Sequence, residues 1–428
     1  MPVLRVEDLD VVGGLASTSA AEVALSNAAA ERGTVPTELL ALVLANKAEL
    51  LLWSGDVQAA RHACSVGISE AQAPGCEPLL ASCLGQLALI EATQGCLRRA
   101  SELANHARAV AETSGSCPID ALQAAEVALA WVGSERDDTR SVRQHVKRAA
   151  AAGDAAGPAA VLVLGLVRAR LLRRRDPNGA ARTVQEVRAS FAGVQLPWWA
   201  DARLTSEETA RPAVRPRTGR AAVGAAPRPR DSDRLEDRLL VMQARLARGD
   251  TSTDKAFVTA LHHAESPLDT RVSGWLVESE RLLAQGQQQQ AKSALVQASR
   301  LAGAERLRRP FLEAPVRVRA LIREDQDVAG QLNWLGTTNA NGICRQPRAA
   351  GGANTSTHTN PIVVPLTGKE KEVLAHLADL LTTEEMAAAM FVSVNTIRTH
   401  VRNIMRKLSA SRRNEAVRRA RELDLLTV

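Results

Sequence analysis

Apolar residues return at helical spacing in four short segments between Leu366 and Leu426. The third is the sharpest. With Ile397 at zero and a turn of roughly 100° per residue, Val401, Ile404 and Leu408 fall within about 40° of it and form one apolar stripe. Asn395, Arg398, Thr399, Arg402 and Arg406 occupy the opposite arc. The pattern predicts a helix over 395–408. The first segment opens with Thr367-Gly368-Lys369-Glu370, in which the threonine oxygen accepts from the N3 amide and Glu370 reaches back as a capping box. It predicts a helix burying Val373, Leu374, Leu377 and Leu381. Thr382 to Glu385 repeats the Thr-x-x-Glu pattern and opens a shorter helix carrying Met386, Ala387 and Met390. Phe391-Val392-Ser393 makes the turn, and Ser393 suits the N-cap of the third helix. A helix with its apolar side buried and an arginine-rich polar side can present guanidinium groups to guanine edges and phosphates.

Upstream the periodicity is again helical, and it repeats. Gly55 is followed five residues on by Ala60, Gly95 by Ala100 and Gly286 by Ala291, each between a leucine-rich and an alanine-rich stretch. Asp176 and Ala181 keep that spacing around Pro177-Asn178-Gly179, and Gly249 stands in a similar context with a later alanine. Physically this is a helical hairpin: glycine ends one helix, and a small residue early in the next lets the axes approach. Gly55 to Gly95 is 40 residues and Gly249 to Gly286 is 37, against roughly 34 for a tetratricopeptide array. The pattern resembles degenerate tetratricopeptide repeats; the alternative is an irregular helical bundle.

Composition agrees with helices. Aromatic residues make up 2% of 428 residues and tyrosine is absent, so the runs of β-branched and aromatic residues that favour strands are scarce. At this length more than one domain is expected. Arg211 to Arg230, with Pro212, Pro216, Pro227 and Pro229, reads as a basic insertion between two groups of repeats, and Gly336 to Pro361 as a tether. The longest apolar run, Ala155 to Val167, is broken by Gly157, Pro158 and Gly165 and is shorter than the ~20 residues a membrane helix needs. With no basic-then-apolar start to signal secretion, a cytoplasmic protein without membrane contact is expected. Six cysteines without a C-x-x-C pair read as small buried thiols rather than as a disulfide framework or zinc site.

Charge is concentrated at one end. From Asn395 onward nine basic residues stand against three acidic ones, +6 within a whole-chain excess of +7. A patch of this density supplies sequence-independent affinity for double-stranded DNA through counterion release, to which base contacts add discrimination.

Leu366-Thr367, Glu372-Val373-Leu374, Leu377-Ala378, Glu385-Met386-Ala387, Ser393-Val394-Asn395-Thr396-Ile397, His400, Asn403-Ile404, Lys407-Leu408 and Arg412 together resemble the LuxR-type helix-turn-helix domain of bacterial transcription regulators. The resemblance covers about 60 residues in fixed register. It implies four helices, the third entering the major groove and the fourth, about Arg412 to Leu425, serving dimerisation on DNA. It places Arg398, Thr399 and Arg402 at base contacts, and Thr396 and Lys407 at backbone contacts. Leu380 and Asp424 stand where the family has glycine and Ala410 where valine is usual, which bears on helix ends and leaves the reading face untouched.

Repeats followed by such a domain resemble the C-terminal portion of large ATP-binding LuxR regulators. No G-x4-G-K-[ST] loop occurs here, since Val363 stands where Gly368-Lys369 would need its leading glycine, and without that loop a nucleotide phosphate lacks its cradle of amides. Neither G-x-S-x-G nor H-E-x-x-H is found, βα alternation is absent, and no cofactor or catalytic role is expected. The expected protein is all-α: a degenerate repeat array over residues 1–325 with a flexible basic insertion at about 207–235, a linker over 326–364, and a four-helix LuxR-type domain over 365–428. Its expected function is sequence-specific transcription regulation, with the repeats receiving an effector or protein partner. The alternatives are an interaction scaffold whose helix-turn-helix has lost DNA binding, and a sigma-factor-like protein, against which the lack of a second polymerase-binding region argues.

Overall fold

The computed structural model describes residues 10–32, 37–73, 75–114, 118–151, 157–173, 175–209, 234–262, 266–335, 368–378, 383–390 and 392–407, with Val417 and Ala420. The chain divides into two compact units, residues 1–347 and 348–428. Every regular element among the described residues is helical, and no helix there is long and apolar enough to cross a membrane.

The first unit begins with α1 (Val11–Arg32) and continues as consecutive hairpins: α2 (Thr37–Ser54) with α3 (Val57–Glu70), α4 (Glu77–Thr93) with α5 (Leu97–Ser114), α6 (Gln123–Glu135) with α7 (Thr139–Ala151), and α8 (Pro158–Arg173) with α9 (Pro177–Ser190). Helices α4, α6 and α8 form the buried layer. Alternate helices α5, α7 and α9 are amphipathic and bury only a narrow stripe of small and branched residues, such as Ala100, Ala104 and Ala107 on α5. The apolar run around Gly165 is α8, nearly all of it buried.

Six described turns close in one way. After α2, α4 and α6, the amide of Asp56 returns to Leu51 O at 2.9 Å, that of Cys96 to Glu91 O at 3.0 Å and that of Asp138 to Gly133 O at 2.8 Å. Asp250 to Arg245 O, Gln287 to Leu282 O and Leu307 to Ala302 O follow suit further on. This is the six-to-one bond of a Schellman motif, which needs the preceding residue in the left-handed region. Gly55, Gly95, Gly249 and Gly286 supply it, and Asp137 (φ 58°) and Arg306 (φ 55°) do so without glycine. The α6–α7 hairpin therefore has the geometry without the glycine that marks the others in sequence.

The small residue early in each second helix is where the axes meet: Ala60, Ala100 and Ala291 are fully buried, and Val142 takes the equivalent place on α7. The spacing from Asp176 is corrected by one. Asp176 is itself the N-cap of α9, accepting from Gly179 N at 2.8 Å, so the register falls on buried Ala180, and Ala181 is exposed.

The chain then continues as α10 (Trp198–Thr209), α11 (Leu235–Ala247), α12 (Lys255–Ala260), α13 (Leu268–Ala284), α14 (Gln288–Gly303), α15 (Arg309–Glu313), α16 (Val316–Glu324) and α17 (Gln326–Gln331). Helices α10, α13 and α15 meet the turn edge of the first hairpins. Trp199 Nε1 donates to Leu52 O at 3.0 Å, Leu268 N to Gln94 O at 3.0 Å and Arg308 N to Glu135 O at 2.9 Å. Successive turns are thus docked onto α10, α13 and α15. Two boundaries shift. Residues 326–335, expected to begin the linker, continue the array, with Val328, Leu332 and Leu335 in its core. Glu207, at the expected edge of the insertion, is buried on α10; residues 210–233 lie outside the described residues.

Where these layers meet, charges are buried. Arg170 bridges Glu207 (2.6 Å) and Glu135 (2.9 Å), Arg309 reaches Glu135 (3.0 Å), and Arg203 binds Asp269 (2.7 Å) and Thr93 O (2.6 Å). Arg170 also lies 4.0 Å over the Trp131 ring. Cys64, Cys76 and Cys83 are buried free thiols, and burial pushes Cys83 up to about 12.

Candidate nucleic-acid interface

In the second unit, α18 (Gly368–Ala378), α19 (Thr383–Ala389) and α20 (Val394–Lys407) enclose one small core. Val373, Leu374 and Leu377 contribute from α18, Met386 and Ala387 from α19, and Ile397, Val401 and Ile404 from α20, all within 6% of full burial. The segments predicted from periodicity are therefore packed on the predicted residues. Leu381, Leu408 and Thr367 lie outside the described residues, as does most of the fourth segment. From that segment Ala420 is fully buried in the same core and Val417 packs against it.

The corner between α19 and α20 is fixed by the main chain and one serine. Val392 N donates to Ala387 O at 3.0 Å, which turns the chain out of α19. Ser393 Oγ accepts from Thr396 N at 3.1 Å, the N-cap bond expected of it. The Thr396 hydroxyl sits 2.8 Å from the same serine oxygen. An N-cap serine satisfies an amide that has no partner inside the helix, so the start of α20 is set to the residue. It begins at Val394, one residue before the predicted start.

With Ile397, Val401 and Ile404 buried, the register of α20 fixes where the predicted site positions fall. Asn395, Arg398, Arg402 and Arg406 all lie on this helix, at positions that a turn of roughly 100° per residue carries away from the buried stripe. Thr396 and Thr399 are exposed. No acidic residue occurs anywhere on α20, so the helix carries its arginines and its positive N-terminal dipole without an internal counter-charge.

Lys407 is held in an ion pair. Its ammonium donates to Glu370 Oε2 at 2.7 Å, and the side chains are only 16% and 5% exposed. The group expected at the DNA backbone is thus an ion-pair partner of α18. Glu370, read from sequence as a capping residue, ties the first helix to the last turn of the third. A pair 37 residues apart leaves no periodic trace in the sequence.

The pattern of this unit is shared with known proteins. Residues 364–420 match the family model described as bacterial regulatory proteins, luxR family. The chain is 42% identical over 52 residues to the spore germination protein GerE of Bacillus subtilis, covering 12% of this chain and 70% of that protein. It is 40% identical over 65 residues to the uncharacterized transcriptional regulatory protein YxjL of Bacillus subtilis (15% of this chain, 30% of that protein). It is 37% identical over 59 residues to the HTH-type transcriptional regulator MalT of Serratia proteamaculans (14% of this chain, 6% of that protein). These matches span less than a third of YxjL and a small part of MalT, and the family model falls in the C-terminal unit of this chain.

Proposed function

Because the chain belongs to the luxR family of bacterial regulatory proteins, we propose that it regulates transcription by binding specific double-stranded DNA sites through α20. The observation that carries this reading is a helix anchored by Ile397, Val401 and Ile404, capped by Ser393, and bearing Arg398, Arg402 and Arg406 with no acidic residue. A two-helix corner of this kind places the N-terminal half of its second helix against base edges in the major groove.

In this reading Arg398, Thr399 and Arg402 contact bases, while Asn395, Thr396, Arg406 and Lys407 contact or support the sugar–phosphate backbone. Lys407 serves the backbone from the side of the helix nearest Glu370. The protein binds as a homodimer through the fourth segment, about residues 412–425, one domain on each half-site. The repeat array receives an effector or protein partner and biases that binding. Regulation by binding accounts for these features without a catalytic step.

Binding of the full chain to genomic fragments, compared with a chain lacking residues 365–428, tests the reading. Retarded complexes formed by the full chain alone support it. Equal retardation by both chains, or by neither, overturns it.

A further inference from the structure

Helix α7 presents a row of cations to solvent. It carries Arg140, Arg143, Lys147 and Arg148 and no acidic residue. Arg148 is drawn to Glu126 at 3.7 Å. Arg140, Arg143 and Lys147 are exposed. They fall within about 60° of one another around the helix, opposite the buried Val142, His145 and Ala149, and none has an ion-pair partner among the described residues. On the alternate helices α5 and α9 arginines are matched instead: Arg108 lies 3.3 Å from Glu126, Arg182 3.8 Å from Asp176 and Arg188 2.7 Å from Asp201.

The row begins at the α6–α7 turn, where further cations gather. Arg98 N donates to Glu305 Oε2 at 2.7 Å and Arg136 Nε to Glu305 O at 3.2 Å, so Arg98, Arg136 and Arg306 meet around one acid whose carboxylate is spent on a main-chain amide. Burial, with the crowding of Arg306 and Arg98, holds the Arg136 guanidinium below its usual value in spite of Glu305. The other charges nearby do not cancel this excess. Asp138 caps α7, accepting from Ser141 N at 3.1 Å, and Asp137 is itself engaged. Arg99 is drawn to Glu91 at 3.6 Å, and Glu102 stands exposed on α5.

A row of this kind suits a polyanion. No large apolar side chain is exposed on α5 or α7 among the described residues. A protein interface draws its core from such side chains, whereas a contact to duplex DNA is more polar and much more positively charged. From Arg140 to Lys147 the helix rises about 10 Å, a length over which duplex DNA presents roughly six phosphates.

We propose that this face of the array is a second DNA contact, in which Arg140, Arg143 and Lys147, with Arg98, Arg136 and Arg306 at one end, bind phosphates of the duplex flanking the site read by α20. This rests on the reading of α20 as the DNA-binding helix and extends the contact to the array. Both contacts belong to one chain, so the weaker gains the high local concentration that linkage to the stronger provides. Phosphate contacts position the protein and carry no sequence information directly.

The test uses the full chain, an operator selected by it, and two duplexes, one limited to the operator and one with flanks of random sequence. The full chain should bind the flanked duplex at least about tenfold more tightly, as expected when several further phosphates are neutralised. In the triple variant Arg140→Gln, Arg143→Gln, Lys147→Gln that gain should vanish, and the slope of log affinity against log salt should flatten by about 2.7, the value for three phosphates. Base preference and affinity for the short duplex should not change. The double variant Arg140→Lys, Arg143→Lys should keep the parent slope, because lysine meets a phosphate as a point charge. Circular dichroism confirms each fold, and if the triple variant does not fold, Lys147→Gln alone should flatten the slope by about 0.9. Flank dependence and salt slope unchanged in a folded glutamine variant overturn the proposal. So does polyglutamate of matched charge that binds the full chain more tightly than non-operator duplex and is lost in the triple variant, which assigns the face to an acidic protein segment. Operator binding without flank dependence overturns the second contact alone, whereas failure of the full chain to bind any duplex overturns the α20 reading and the second contact with it.

Discussion

At the scale of single residues, the pair Glu370–Lys407 ties α18 to the last turn of α20. The carboxylate is almost fully buried, and its partner ends the helix on which the arginines sit. Replacing Glu370 by Gln leaves a poorly hydrated ammonium without its counter-charge. The expected cost is about 1.5–3 kcal/mol, the range for a hydrogen bond to a charged group. Unfolding of the C-terminal unit, followed by hydrogen exchange of the α20 amides, should report that loss, and affinity for all duplexes should fall alike. Unchanged protection of α20 in Glu370→Gln would show that the pair does not hold the helix. The residues that sequence periodicity does reveal here, Ile397, Val401 and Ile404, are legible because a helix encodes its buried side locally. Lys407 was legible as a cation but not as one already engaged, since its partner comes from a distant part of the chain.

At the scale of elements, the recurring unit is a pair of helices closed by a Schellman turn. Where glycine occupies the left-handed position the hairpin could be read directly, as at Gly55, Gly95 and Gly286. Where Asp137 or Arg306 occupies it, the backbone adopts the same geometry without the glycine by which the other hairpins are read. Two glycines with similar φ offer a controlled comparison. A Cβ at Gly286 meets nothing within 4 Å, whereas one at Gly95 would lie 2.7 Å from Leu268 Cβ. Gly286→Ala should therefore cost only the left-handed penalty, about 1–2 kcal/mol. Gly95→Ala should cost more than that, because α13 must also move. Denaturant unfolding of the two variants distinguishes them, and equal losses would refute the docking of the α4–α5 turn on α13. The expected linker start at residue 326 failed for a related reason: α17 is short and weakly periodic, and its place in the core depends on what it packs against.

At the scale of the whole molecule, the two halves of the array are joined through buried ions that no local pattern announces. Arg309 lies 174 residues from Glu135, and Arg203 66 from Asp269. Burial alone would raise the Glu207 carboxyl, but Arg170, Arg173 and Arg309 outweigh it and hold it at about 2. Because this value lies below the ordinary carboxylate value of 4.5, Glu207 stabilises the fold above about pH 4.5, and that contribution is lost as the pH falls through about 2. The difference corresponds to a stabilisation on the order of 3 kcal/mol at neutral pH. Glu207→Gln should therefore lower the melting temperature strongly at pH 7, and the gap to the parent chain should narrow below pH 4.5. A gap that does not change with pH would show that the ionised carboxylate is not what matters.

In the proposed function α20 reads DNA through its arginines. The most direct measurement is the affinity of the full chain, Arg398→Ala and Arg402→Ala for an operator selected by the full chain, against single-base variants of that operator at fixed salt. Each substitution should cost about 1–3 kcal/mol and relax discrimination at one base pair. Unaltered affinity and unaltered base preference in both variants would contradict it.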